Sequence, residues 1–183
     1  MKVPALAAIL VCLGFAPPAM AAAEPWHDFH LPGTDFVVST PGQPKIIEDG
    51  VDRDGVVAKT AQLKLGDADY SITHTVYPRG YVSRGTAVID LLNHARDGLA
   101  ASVSGHVAGE RRFTLGDAQA SEFTIDVPPT PGDPKRQTAK VRVYVRVVGA
   151  SVTVDQCVAL APRGSEASAG AERFLESIRF ARD

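Results

Sequence analysis

The stretch that decides the fold reads Lys140-Val141-Arg142-Val143-Tyr144-Val145-Arg146-Val147. Apolar and polar residues alternate through it, and successive side chains of a β-strand point to opposite faces. The stretch is therefore predicted to form a strand with its four valines on one face and its other four side chains on the opposite face. This pattern is typical of an antiparallel sheet that buries one face and leaves the other in solvent.

Similar segments lie on both sides of this strand along the chain. They predict further strands over residues 36–39, 56–65, 70–77, 107–115, 118–127 and 151–160. Short turn sequences at Gly66-Asp67, Gly116-Asp117 and Gly149-Ala150 separate neighbouring strands. Because glycine and aspartate favour tight turns, these neighbours are predicted to form antiparallel hairpins.

Two segments change to the helical period. Over residues 86–103 the apolar side chains recur at helical spacing, at Val88, Leu91, Leu92, Ala95, Leu99 and Val103. Asp90 suits the first turns because its charge interacts favourably with the helix dipole, and Gly105 predicts the end of the helix. A second helix is predicted to follow Ser165 or Ser168. The predicted fold class is therefore α+β, with a central antiparallel β-sheet flanked by helices.

The first residues have the layout of a secretory signal peptide. Lys2 is followed by an apolar run over residues 3–16, and Ala19-Met20-Ala21 supplies the small residues that a signal peptidase needs. We expect cleavage after residue 21, with residue 23 as the alternative. The apolar run is shorter than the roughly 20 residues that span a bilayer. No transmembrane segment is therefore expected in the mature chain.

Removal of the signal peptide leaves about 160 residues, which predicts one domain. We expect a flexible leader over residues 22–33 and a single domain over residues 34–183, located in the periplasm or secreted. A lipoprotein anchored through Cys12 is the alternative, which the large Val11 before that cysteine disfavours.

The charge and the cysteines exclude some classes of protein. The chain has 19 basic and 21 acidic residues, and loss of Lys2 leaves 18 against 21, a net charge of −3. Nucleic-acid-binding domains usually carry a basic excess, so no nucleic-acid partner is expected. The mature chain keeps only Cys157, which cannot form an internal disulfide. It lies in a predicted strand and is expected to be a buried, small apolar residue.

Several local patterns resemble exported bacterial domains of the PsbP-like family. They are Phe36-Val-Val-Ser-Thr-Pro41-Gly, the helix after the first hairpin, and Arg173-Phe-Leu-Glu-Ser-Ile-Arg-Phe180 near the end. The resemblance covers residues 34–181. It implies a PsbP-like α/β/α sandwich, a role in binding or assembly, and no built-in catalysis. It supplies no motif of functional residues to transfer to this chain.

Candidate metal sites are weak. His27 and His30 could share a metal on one face of a helix, but Pro25 and Pro32 bracket them, so a flexible polar leader is the preferred interpretation. Residues 48–55, Glu-Asp-Gly-Val-Asp-Arg-Asp-Gly, suggest a calcium loop but lack the spacing of an EF-hand. We expect a solvated acidic turn there, and we predict neither a metal nor another cofactor.

No catalytic constellation is recognisable in the sequence. There is no G-x-S-x-G motif, and no Cys/His pair has the surroundings of a known nucleophile. His74 alternates with apolar neighbours and is predicted to pack as a half-buried residue. We therefore predict that the domain is not an enzyme.

The polar side of the strand at residues 140–147 is the predicted contact surface. It carries Lys140, Arg142, Tyr144 and Arg146, which could meet an acidic or anionic partner. The alternative is that Glu122 and Asp126 on the preceding strand form cross-strand ion pairs with these cations.

The predicted function is an exported, non-enzymatic domain that binds an envelope or secreted protein partner or stabilises an envelope complex. The alternative is a periplasmic small-molecule binding protein or weak enzyme, with its site in a groove between the long helix and the sheet. An exposed surface patch would favour the first, and a concave pocket with converging polar groups the second.

Overall fold

The computed structural model describes residues 25–78, 80, 87–131, 134–165 and 167–181. The predicted signal peptide, residues 1–21, lies outside the described residues, so its cleavage remains a prediction. In chain order the elements are β1 (His27–His30), β2 (Phe36–Thr40), β3 (Lys45–Val51), β4 (Val57–Leu65), β5 (Ala68–Tyr77), α1 (Val88–Ser102), β6 (His106–Leu115), β7 (Ala118–Val127), β8 (Gln137–Val148), β9 (Ser151–Pro162), α2 (Ala167–Glu176) and β10 (Arg179–Phe180).

Seven strands form the central sheet, in the order β3-β4-β5-β9-β8-β7-β6. Every neighbouring pair is antiparallel, and most neighbours are joined by hairpins. β1, β2 and β10 form a second sheet of three strands. The general prediction of an α+β domain with a central antiparallel sheet is confirmed. Its identification with the PsbP-like sandwich remains a prediction.

The valine side of β8 faces one half of the hydrophobic core. Val141, Val143 and Val145 are buried together with Phe123 and Ile125 of β7. Helix α1 covers this face of β6, β7 and β8, and Leu92 is its most buried side chain. The predicted helical stripe is thus the packing surface of α1.

The opposite face of the sheet is covered as well. Helix α2 lies against β9 and β8 and also contacts β2. One buried cluster joins α2, β2 and the large sheet, and it includes Phe174, Leu175, Phe36, Tyr144 and Cys157. Cys157 is therefore a buried core residue, as predicted.

Two features near the start of the domain differ from the sequence prediction. His27–His30 form β1, paired with β2, in place of a flexible leader, because Phe29 and Leu31 are buried in the core. Residues 48–51 belong to β3 rather than to a solvated turn. The acidic turn is shorter than predicted: the Asp52 carboxylate accepts hydrogen bonds from the N–H groups of Asp54 and Val56, which stabilises the turn into β4.

The ends of α1 follow local chemistry that the sequence indicates. The Asp90 carboxylate accepts a hydrogen bond of 3.3 Å from the Ala87 N–H, next to the helix start. After the helix, the chain passes close to β7 at Gly105. A Cβ atom there would lie 2.4 Å from Ile125 Cγ2, so glycine is required by close packing.

Candidate functional site

The polar side of β8 is part of the interior, which corrects the predicted contact surface. Tyr144 is 0% exposed and Arg146 is 6% exposed, while Lys140 and Arg142 are half-buried. The reason is that α2 and the small sheet cover this face of the large sheet. The four residues therefore do not form an open patch for a partner.

Two cations of this strand, Arg142 and Lys140, are paired within the molecule. Arg142 Nε donates a hydrogen bond to Glu122 on β7, and its Nη1 donates to the Leu175 carbonyl of α2 at 2.7 Å. Lys140 pairs with Glu172 of α2. The cross-strand alternative thus holds for Glu122, whereas the nearest cation to Asp126 is Arg163, at 3.9 Å. The contacts of Arg142 with the Leu175 carbonyl and of Lys140 with Glu172 join α2 to the sheet.

Arg146 lies at the centre of a buried network of charges. Its Nη1 and Nη2 donate to the Asp35 carboxylate at 2.5 and 2.8 Å. Its Nη2 also lies 3.5 Å from Asp155 Oδ2, and the other oxygen of Asp155 lies 2.6 Å from His74 Nδ1. The guanidinium stacks on the Phe180 ring, 3.8 Å from its centroid. His74 is buried with a partner, whereas the sequence predicted a half-buried position.

Several groups of this face have shifted pKa values, among them Asp35, Tyr144 and Cys157. Hydrogen bonds from Arg146 lower the pKa of Asp35 below its ordinary value, because they stabilise the carboxylate. Burial raises the pKa of the Tyr144 hydroxyl and that of the Cys157 thiol, because it destabilises their anions. Burial therefore favours the neutral forms of Tyr144 and Cys157.

A cleft of about 510 Å³ opens beside Arg146, where the small sheet meets the turn between β6 and β7. Phe180 and Leu115 form its apolar wall, and Asp117 and Arg179 line its rim. Arg179 is itself bonded to Asp28, at 2.5 Å. Of the charged residues that line the cleft, Arg146 is paired with Asp35, and Arg179 is paired with a residue outside the lining. The contact of Arg146 with Asp35 joins the two sheets. The described residues that line the cleft include no serine, threonine or cysteine.

A groove lies where the alternative function places it, between α1 and the sheet. Its volume is about 320 Å³. Leu91, Leu99 and Val154 supply apolar walls, and His94 and Gln156 supply polar atoms. No carboxylate is among the described residues that line it, so His94 has no acidic partner in the groove. The groove offers a surface for a ligand but no acid–base pair.

The histidines of β1 point in different directions. His27 and His30 are three residues apart on a strand, so their side chains point to opposite faces and cannot share a metal ion. The part of the chain that the structure describes contains no group of three or more histidine, cysteine or acidic residues able to hold a metal.

The two edges of the large sheet differ in chemistry. β6 carries Glu110, Arg111 and Arg112 in its middle, and all three are bonded to neighbouring side chains. Charges of this kind, together with the bulge next to Gly109, protect an edge strand against pairing with another chain.

The other edge, β3, exposes apolar side chains. Ile46 is 41% exposed, Ile47 61% and Val51 67%. We call these three residues the β3 edge surface. Sequence reasoning missed it because Lys45–Val51 lacks the alternation that marks the other strands. The pair of isoleucines between Pro44 and the acidic residues was the one available signal.

Comparison with known proteins identifies no family: no family model and no curated protein matches the chain. Two solved structures are similar in part. LpqN of Mycobacterium tuberculosis, described as involved in cell envelope biogenesis, is 15% identical with a TM-score of 0.49, over 78% of this chain and 87% of that one. A Bacteroides thetaiotaomicron VPI-5482 protein is 14% identical with a TM-score of 0.39, over 81% of this chain and 46% of that one. Neither likeness assigns a function to this chain.

Among the described helices, none is both long and apolar enough to cross a membrane.

Proposed function

We propose that this chain is an exported, non-enzymatic domain that binds a protein partner through the β3 edge surface. The observation that carries the proposal is the exposure of Ile46, Ile47 and Val51 on the terminal strand of the large sheet. Export through a signal peptide over residues 1–21, a periplasmic or secreted location, and a PsbP-like architecture belong to the same proposal.

An edge strand is a physically suitable contact for a second protein. One side of its backbone faces away from the sheet, where N–H and C=O groups can pair with another extended chain. Burial of exposed isoleucine and valine side chains adds a favourable hydrophobic contribution. Among the described strands, β3 pairs only with β4.

The other surfaces support partner binding less well. Lys140, Arg142 and Tyr144 bond to α2 or pack beneath it, and Arg146 is already paired with Asp35. On β6 a partner would have to desolvate charged side chains that are already paired. The apolar β3 edge surface requires no such change.

The test is chemical crosslinking in the native host with matched variants. Val51→Lys removes an exposed apolar side chain from the β3 edge surface. Val147→Lys is the control, because Val147 is 63% exposed but lies near the hairpin between β8 and β9. We expect one recurrent protein to be crosslinked to the wild type and to Val147→Lys, and to be lost with Val51→Lys. Crosslinking that Val51→Lys leaves unchanged would refute the proposal.

A further inference from the structure

We infer that the groove between α1 and the large sheet binds an uncharged glycan segment, with one or two of its sugar rings seated between the helix and β9. This site is separate from the β3 edge surface, so the inference goes beyond the proposed function. The inference follows from the size of the groove, the uncharged residues that line it, and the hydrogen-bonding groups that face it.

The groove lies at the side of α1. The main contacts of α1 are with β6, β7 and β8, and β9 is the next strand of the sheet. Leu91 and Leu99 of the helix and Val154 of β9 form its apolar walls, around a volume of about 320 Å³. At Gly98, which also lines the groove, a Cβ atom would meet no atom within 4 Å, so this side is open. Ligand pockets usually measure roughly 300–1,000 Å³, so this groove suits a small ligand.

The lining of the groove carries no charge among the residues that the structure describes. Arg96 and Asp97 of α1 lie between lining residues in the sequence, but the Arg96 Nε donates a hydrogen bond to the Asp97 carboxylate at 2.8 Å. A phosphate, a carboxylate or an amine would therefore lose water in the groove without meeting an opposite charge, which is unfavourable. An uncharged ligand avoids this loss.

Two uncharged polar side chains face the groove from its two walls, His94 from α1 and Gln156 from β9. Neither side chain makes a hydrogen bond to another described residue. A neutral imidazole and an amide each offer both a donor and an acceptor. Sugar hydroxyls also donate and accept, so they can pair with both side chains. A hydrocarbon chain in the same place would bury the Gln156 amide without a partner, which disfavours a lipid.

Hydroxyl groups continue from the groove across β5. In the register of β5 with β9, Thr73 lies opposite Gln156 and Thr75 lies opposite Val154. Side chains directly opposite each other in neighbouring strands share a face of the sheet, so both threonines lie on the face that carries the groove. Both are half-buried. A glycan that extends beyond the groove therefore meets further hydroxyl groups, whereas a small isolated molecule would not reach them.

The first experiment is an NMR titration of the ¹⁵N-labelled processed protein. The probes are three neutral disaccharides (maltose, cellobiose and N,N′-diacetylchitobiose), a sulfated heparin disaccharide as the charged comparison, and 1-decanol as the apolar one. We expect at least one neutral disaccharide to shift the backbone signals of residues 91–102 and 154–156 and the side-chain amide signals of Gln156. The heparin disaccharide and 1-decanol should bind there at least tenfold more weakly.

A matched pair of variants tests the position of the ligand. Gly98→Leu places a side chain in the groove, whereas Ala101 is exposed on the same helix and is not among the described lining residues. We expect Gly98→Leu to weaken binding of the disaccharide at least tenfold and Ala101→Leu to leave it unchanged. Gln156→Leu removes the amide and should weaken binding at least fivefold, which keeps the test available if Gly98→Leu does not fold. Melting temperatures establish which variants remain folded.

Three results would overturn the inference. The first is that none of the three neutral disaccharides shifts the signals of the groove. The second is that the heparin disaccharide binds there as tightly as the neutral ones. The third is that 1-decanol binds more tightly than any disaccharide and that Gln156→Leu strengthens its binding. Val51→Lys on β3 should leave disaccharide binding unchanged, so failure of this inference and failure of the proposed function are distinguishable.

Discussion

Arg146 of β8 donates two hydrogen bonds to Asp35, the residue immediately before β2, at 2.5 and 2.8 Å. The two residues are 111 positions apart in the chain, and their contact joins the large sheet to the small one. Arg146 is buried, whereas the Asp35 side chain is 36% exposed. A buried cation with a partly exposed anion is a sensitive point of the fold, because loss of the anion leaves the cation poorly compensated.

We expect Asp35→Ala to lower the free energy of unfolding by about 2 kcal/mol, the usual range for a lost hydrogen bond to a charged group. The matched control is Asp54→Ala. Asp54 lies 3.9 Å from Arg53, whose side chain is 94% exposed, and an exposed pair of this kind contributes little. Urea denaturation of the three proteins measures the difference. An equal, small loss for both variants would mean that Asp155 alone compensates Arg146.

The same contact predicts a dependence of stability on pH. Arg146 lowers the pKa of Asp35 from its ordinary value of 3.8 in the folded state. A carboxylate with a lowered folded pKa stabilises the fold above its unfolded pKa, and this stability is lost as the pH falls through the folded pKa. The difference in unfolding free energy between wild type and Asp35→Ala should therefore be constant above about pH 5 and shrink below pH 3.8. Denaturation curves across this range measure it, and a difference that grows on acidification would contradict the assignment.

The central strands could be predicted from the sequence because the residues that specify each strand and turn are adjacent in the chain. The alternation over residues 140–147 and the glycine turns predict the hairpins, and the structure confirms the strands. The alternation also showed which side chains share a face. It could not show that both faces are covered, because the cover comes from β2 and α2, which are distant in sequence. The sequence therefore predicts an exposed polar side of β8, whereas the structure covers it with α2 and the small sheet.

The β3 edge surface could not be predicted for a different reason. A strand that pairs on one side only, and contains a bulge, has no regular alternation, so Lys45–Val51 lacked the periodic signal. The pairing of Glu122 with Arg142 was foreseen because both residues belong to adjacent predicted strands. The contact of Arg146 with Asp35 could not be predicted, because the two residues are 111 positions apart and Asp35 lies outside the large sheet.

Replacement by alanine should have opposite effects on stability at Gly105 and at Gly98. Gly105→Ala places a Cβ atom 2.4 Å from Ile125 Cγ2 and 2.9 Å from the Asp126 carbonyl oxygen, so we expect a loss of about 1–3 kcal/mol. Gly98 lies within α1, and a Cβ atom there meets no atom within 4 Å. Gly98→Ala should therefore stabilise the protein by about 0.5–1 kcal/mol, because alanine favours the helix. Thermal unfolding shows whether each variant is more or less stable than the wild type. A destabilised Gly98→Ala would show that the helix needs this glycine.

Cys157 should be inert in the native protein. It is completely buried between strands, and burial raises the pKa of its thiol. The thiolate is the reactive form, so the native protein should not react with Ellman's reagent over hours at pH 8. After denaturation, one thiol per chain should react. Since Cys12 lies within the predicted signal peptide, the processed chain contains no other thiol. Rapid reaction of the native protein would indicate that β9 opens far more often than a central strand should.

Hydrogen exchange should distinguish the open edge from the centre of the sheet. β8 and β9 each pair on both sides and lie in the buried core, so their amides should exchange only through global unfolding. β3 pairs only with β4 among the described strands and carries exposed side chains. Its amides should therefore exchange at least a hundredfold faster than those of β9 in the free protein. Mass spectrometry of peptic fragments measures both strands in one experiment. Equally slow exchange in β3 and β9 would mean that β3 is already covered, and the proposed binding surface would then be unavailable to a partner.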